Sequence, residues 1–108
     1  MQDNIKFSEY QSFVDSMKKY PEEHKIIYPA LGLAGECGEY IEKVKKNLRG
    51  DGPLDKVQAA KELGDCLFYL SASASDIGFS LEEIASLNIE KLISRQERGV
   101  IQGNGDNR

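Results

Sequence analysis

The sequence predicts an all-α domain of four helices. Apolar residues recur at steps of three and four through four separate segments, and glycine or proline stands at the joints between them. No stretch shows the period of two expected of a half-buried strand, and no internal repeat or low-complexity tract is visible. At 108 residues the chain can build one modest core and no more. A single domain over residues 1–101 is expected, with residues 102–108, polar and carrying Gly103 and Gly105, as a flexible tail.

Taken in order, Ser8-Glu9-Tyr10-Gln11 has the form of a capping box. Tyr10, Phe13, Val14 and Met17 follow at helical spacing, so the first helix is expected to start there and to end before Pro21. Residues 20–29 mix charge with Tyr28 and two prolines and read as an irregular link lying over one end of a groove. The second helix is expected over Ala30 to Leu48, with Ala34, Cys37, Ile41, Val44 and Leu48 as its apolar stripe. Gly50-Asp51-Gly52-Pro53 closes it. Asp55, with Gln58, caps a third helix whose stripe is Leu63, Leu67, Leu70, Ala74 and Ile77 and which ends at Gly78. Phe79, then Ser80-Leu81-Glu82-Glu83, then Ile84 combines a hydrophobic staple with a capping box, and the fourth helix runs from there to about Glu97 before Gly99.

The chemistry is concentrated in two short acidic signatures, Glu36-Cys37-Gly38-Glu39 and Glu62-Leu63-Gly64-Asp65. Carboxylates three positions apart share one helix face and repel, so an unliganded pair weakens its helix. Two such faces opposed would gather four carboxylates in a partly dry groove, where they must bind protons or cations. Hard divalent ions such as Mg²⁺ take oxygen ligands and commonly share them with substrate phosphates. A solvated surface also explains a single E-x-x-E, but two features here point to a site. Gly32, Gly35, Gly38 and Gly64 stand inside the helices around these carboxylates, although each costs about 1 kcal/mol relative to alanine. The positions four residues upstream of the acids are Gly32, Gly35, Gln58 and Lys61, and Lys61 precedes Asp65 in the less favourable order. On the fourth helix Asn88, Lys91 and Arg95 lie one turn apart, three donors able to line up toward an anion.

The net charge of -4, from 14 Lys and Arg against 18 Asp and Glu, argues against a protein held to nucleic acid by overall charge. The two cysteines, Cys37 and Cys66, lie in helical patterns outside any CxxC and are expected to be reduced thiols. Residues 1–6 lead into no apolar run, and no stretch approaches the roughly 20 apolar residues of a membrane span. A soluble cytoplasmic protein with no membrane partner is expected. The lone His24 lies in the link without a partner motif and reads as a surface residue, which disfavours a di-iron carboxylate bundle built on Glu-x-x-His pairs.

Gly32-Leu33-Ala34-Gly35-Glu36-Cys37-Gly38-Glu39, then Lys61-Glu62-Leu63-Gly64-Asp65-Cys66-Leu67-Phe68-Tyr69-Leu70, then Asn88, Lys91 and Arg95 form an ordered set. It resembles the MazG-like family of all-α nucleoside triphosphate pyrophosphohydrolases, and the short chain resembles its compact single-module members, of the kind also found in phages. The resemblance implies Mg²⁺-dependent hydrolysis of (d)NTPs to the monophosphate and pyrophosphate, in nucleotide-pool housecleaning or recycling, in the cytoplasm or, for a phage protein, that of the host. It implies a four-helix bundle assembling as a homodimer or homotetramer. By position it makes Glu36, Glu39, Glu62 and Asp65 the metal ligands and Lys91 and Arg95, with Asn88 beside them, the phosphate contacts. Glu39 is the expected general base, a role that needs a group within hydrogen-bond reach of the attacking water. Phe68 and Tyr69 could stack on a base or pack the core. The competing readings are a narrower dUTP or dCTP pyrophosphatase, a non-catalytic nucleotide-binding module, and a helical oligomerisation module whose acidic faces are merely wet.

Overall fold

The computed structural model describes residues 2–108; Met1, the first residue of the expected domain, lies outside them. The described residues form four helices without a strand: α1 Phe7–Met17, α2 Ile27–Leu48, α3 Lys56–Asp76 and α4 Leu81–Glu97, with a 3₁₀ turn, Glu22–His24, between α1 and α2. The expected all-α class is the observed one. The short 49–55 connection makes α2 and α3 an antiparallel hairpin, the most extensive packing in the molecule, while α1 lies on α3 and α4 packs against both.

Local signals place most of the joints. Asp55 accepts from the Val57 and Gln58 amides and starts α3. Ser80 and Glu83 form the reciprocal capping box that starts α4. Between them Gly78, at φ 88°, lets the Phe79 amide reach the Ala74 carbonyl at 2.9 Å and the Gly78 amide reach the Ser75 carbonyl at 3.0 Å, so the chain reverses over the end of α3.

Two expected starts differ. The box at Ser8 does not form: α1 begins at Phe7 behind Lys6, with no side-chain cap. Gln11 is needed elsewhere. Its amide donates to Ser75 Oγ at 2.9 Å and to the Phe79 carbonyl at 3.0 Å, and its Oε1 accepts from the Leu81 amide at 2.9 Å. That one buried side chain ties α1 to the α3–α4 turn. Helix α2 begins at Ile27, a turn earlier than Ala30, because Pro29 falls in the first turn, where a missing N–H removes no intrahelical bond. Ile26, before it, has φ 72° and ψ -56°, with the Ile27 amide bonded to the Lys25 carbonyl at 2.8 Å. This is a γ-turn with positive φ at a β-branched residue, a strained geometry costing on the order of 1–3 kcal/mol.

The apolar stripes do not do what their spacing predicts. The buried apolar core is small: Val14, Ala59, Ala72, Ala74 and Leu81. Ile41 is 61% exposed, Leu48 86% and Leu63 49%, and Val44, Leu70 and Ile77 are exposed with them. Helices α2 and α3 meet instead through the faces that carry Gly32, Glu36 and Cys37 against Tyr69, Asp65 and Cys66. That choice keeps Cys37 in the seam and turns most of the large apolar residues of the stripes outward, while Ala74 stays in the core. The Cα radius of gyration is 16.6 Å, against about 13 Å for a compact domain of this length.

Residues 102–108, the expected tail, fold back on α4 in this structure. The Arg108 guanidinium donates to the Val100, Ile101 and Gly105 carbonyls at 3.0, 2.7 and 2.6 Å.

Candidate metal centre and the cleft beside it

Glu36 on α2 and Glu62 and Asp65 on α3 each offer a carboxylate oxygen, and the three oxygens lie within 4.8 Å of one another. None of the three makes an ion pair among the described residues. Burial pushes the Glu36 carboxyl above its ordinary range, and the negative charges of Asp65, Glu62 and Glu39 push it further. The cluster is therefore short of positive charge, and the donors are all hard oxygens. That donor set fits a divalent cation such as Mg²⁺. Glu39 stands apart: it is exposed, one turn along α2, outside the group of three, and acts on it through its charge.

Aromatic and thiol groups frame the acids. Burial and then Asp65 raise the pKa of Tyr10, which brings α1 to the edge of the cluster. Tyr69 is raised by burial and then by Tyr28, Glu36 and Asp65. Cys37 and Cys66 are free thiols that meet across the hairpin, and burial followed by the Cys37 contact pushes the Cys66 thiol up, away from the thiolate.

Beside the acids opens a cleft of about 330 Å³ lined by Lys18, Lys19, Tyr20 and Tyr28 on one side and Phe68 and Tyr69 on the other, with Met17, Pro21 and His24 at its margin. The link after α1 and the first turn of α2 thus form a wall. The Tyr20 and Tyr28 rings of this wall stack at 4.9 Å between centroids and 22° between planes, while Phe68 and Tyr69 meet edge to face at 5.3 Å. Burial and then a hydrogen bond to Asp76 push the Tyr20 phenol up to about 12.

Of the four interior glycines around the acids, the packing of the chain explains one. A Cβ on Gly32 would lie 2.6 Å from Tyr69 Cδ1, so the missing side chain is what lets the Tyr69 ring lie on α2 beside Glu36. Around Gly35, Gly38 and Gly64 the space is open. Gly32→Ala is expected to displace Tyr69 and to lower stability by about 1 kcal/mol, overpacking outweighing the gain in helix propensity. Denaturant unfolding checks this; raised stability would show that the ring yields freely.

The α4 donors are not joined to the acids by any contact among the described residues. Lys91 and Arg95 turn to the tail, where one oxygen of Asp106 lies 3.2 Å from Lys91 Nζ and 3.3 Å from Arg95 Nη2. Arg95 is 5% exposed and also donates to the Gly105 carbonyl at 3.2 Å. Its Nε is buried without a partner. Both bases hold Asp106 below the usual carboxylate range, so an anionic oxygen already rests between them. Asn88 is exposed, beside Lys91 on the rim of a separate hollow.

The sequence reading missed Asp76, the Tyr20–Tyr28 pair and Asp106. Asp76 did leave a signal: an acid in the last turn of a helix opposes the macrodipole and needs a partner.

The family described as the MazG nucleotide pyrophosphohydrolase domain matches residues 29–100. The Gene 37 protein of Mycobacterium phage L5 is 46% identical over 87 residues, which span 75% of this chain and 75% of that one. No solved structure matches.

Proposed function

We propose, from the premise that this chain belongs to the MazG nucleotide pyrophosphohydrolase domain family, that it hydrolyses (deoxy)nucleoside triphosphates to the monophosphate and pyrophosphate with Mg²⁺. The observation that carries this reading is the trio of unpaired carboxylate oxygens within 4.8 Å of one another, opening beside an aromatic cleft. Glu36, Glu62 and Asp65 would hold the cation and Glu39 would border it. Bound there, a divalent ion would supply charge neutralisation for the phosphate groups.

The chain's own residues supply the rest. Glu39 is exposed at the open edge of the cluster, where its carboxylate accepts a proton from the attacking water. The water oxygen bonds to the α-phosphorus as the bond from that phosphorus to the bridging oxygen breaks, and pyrophosphate leaves with the bond's electron pair. The nucleobase enters between the Tyr20–Tyr28 wall and Phe68 with Tyr69, where flat apolar faces favour stacking. Lys91 and Arg95, with Asn88, serve the phosphates, which take the place that Asp106 holds. The chain acts as a homodimer or homotetramer, because a small core and exposed apolar residues along α2 and α3 leave a face suited to a second copy. In the cell the reaction serves nucleotide-pool housecleaning or recycling.

The test is pyrophosphate release from a panel of common dNTPs and NTPs, with Mg²⁺ and with EDTA, for the native chain and Glu39→Ala, with sedimentation giving the assembly. Metal-dependent release lost in Glu39→Ala is the expected result. Absence of release from every nucleotide would overturn the reading and leave a helical binding or interaction module.

A further inference from the structure

We infer that Asp76, outside the cleft, is the positioning residue that sets its link wall, and so governs recognition of the nucleobase without touching it; the inference rests on the function proposed above. Asp76 is the last residue of α3, and its side chain is 1% exposed. One carboxylate oxygen accepts from Lys18 Nζ at 3.0 Å. The other accepts from the Tyr20 hydroxyl at 2.9 Å and from the Ile26 amide at 2.9 Å. Lys18 and Tyr20 line the cleft, and Asp76 does not.

The Ile26 bond gives this contact its reach. Ile26 is the strained residue immediately before α2 and has no side-chain cap, so the Asp76 carboxylate is the side chain that anchors the γ-turn, which the Ile27 amide closes on the Lys25 carbonyl, and with it the place where α2 begins. Two residues later Tyr28 stacks on Tyr20. One buried carboxylate thus holds Tyr20 by its hydroxyl and Tyr28 through the start of its helix, and both rings of the wall depend on it. Lys18 has a second partner in Asp15, at 3.3 Å, so it is the least dependent of the three. The acids that would hold the cation lie on the other side of Tyr69, toward the hairpin. A fault at Asp76 therefore reaches the base subsite and spares the polyphosphate subsite.

Asp76→Asn keeps the shape but turns an N–H₂ group toward donors. Calorimetric binding with Mg²⁺ present compares an α,β-imido deoxynucleoside triphosphate, which resists the reaction, with inorganic tripolyphosphate, which has no base. The expected result is about tenfold weaker binding of the nucleotide and unchanged binding of tripolyphosphate, a tenfold change being 1.4 kcal/mol. Faster amide exchange at Ile26 and through the first turn of α2 is expected with it. Equal weakening of both ligands, or of neither, would overturn the inference. Should Asp76→Asn fail to fold, Tyr20→Phe keeps the ring, loses one bond, and is expected to weaken only the nucleotide, by a smaller factor. A native chain that binds the nucleotide analogue but releases no pyrophosphate would sink the proposed reaction while the binding comparison still decides the role of Asp76. A native chain that binds no nucleotide would sink both.

Discussion

Glu36→Gln is expected to abolish most turnover while making the metal-free protein more stable. The amide offers a poorer, neutral ligand where three oxygens converge within 4.8 Å. A divalent ion at such a site supplies several kcal/mol of charge stabilisation, so its loss corresponds to a rate lower by about a hundredfold or more. Stability moves the other way because Glu36 is raised above its ordinary 4.5 by burial and by the charges of Asp65, Glu62 and Glu39. A carboxyl whose native pKa is raised contributes stability below its unfolded pKa and loses it as pH rises through the native one. The mutant and native chains, free of metal, should therefore match in acid and separate as pH rises through the ordinary carboxylate range, the mutant gaining a few tenths to about 1 kcal/mol, a range that allows for solvent screening. Mg²⁺ closes the gap from the other side, since an ion at a hundred times its Kd adds about 2.7 kcal/mol to the protein that binds it. Melts across pH, with Mg²⁺ and with EDTA, check all of this. A destabilised Glu36→Gln at neutral pH would mean that the carboxylate has a structural partner and that the cluster is not a waiting cation site.

Asp76→Ala is expected to lower stability by about 3 kcal/mol, the scale for removing one member of a buried ion pair. It strands the Tyr20 hydroxyl and the Ile26 amide, leaves Lys18 with Asp15 alone, and takes the one side-chain tie from a strained turn. The native protein should show the same loss in acid. Burial alone would raise the Asp76 carboxyl, but the bonds from Ile26, Lys18 and Tyr20 outweigh it and hold the group below its ordinary 3.8. A depressed carboxyl stabilises fully above its unfolded pKa and loses that contribution as pH falls through the lower native value. The difference between native and Asp76→Ala in urea midpoints should thus be constant near neutrality and shrink below about pH 4. A difference that persists unchanged in acid would mean that packing, and not charge, holds the turn.

The readable part of the site was the part written in local spacing. Each acidic pair, Glu36 with Glu39 and Glu62 with Asp65, could be put on one face of its own helix from position alone, because a three-residue step on any helix puts two side chains on one face; that Glu36 meets Glu62 and Asp65 came from the packing. Glu39 shares that spacing, yet lies outside the trio, exposed one turn further along α2. Lys91 and Arg95 were legible as an anion-binding pair, and an anion does rest between them, but it is the chain's own Asp106. No spacing rule relates positions 91 and 106. The link wall was illegible for the same reason: Tyr20, Tyr28 and Asp76 are brought together by a turn whose central residue, Ile26, has an unfavourable intrinsic conformation.

What the sequence determined by itself is the set of helices, their ends at Asp55, Ser80 and Gly78, and the helix faces that bear acid, because caps and periodicity act within a few residues. Which face of α2 meets α3 was left to the tertiary structure. The C-terminal part of the apolar stripe and a face of glycine and glutamate both offer a packing surface beside Cys37, and the second won because Gly32 admits the Tyr69 ring where Cys37 meets Cys66. That decision drew the carboxylates together and turned Ile41, Val44 and Leu48 outward. Only packing between distant segments, summed over the whole chain, could choose between them.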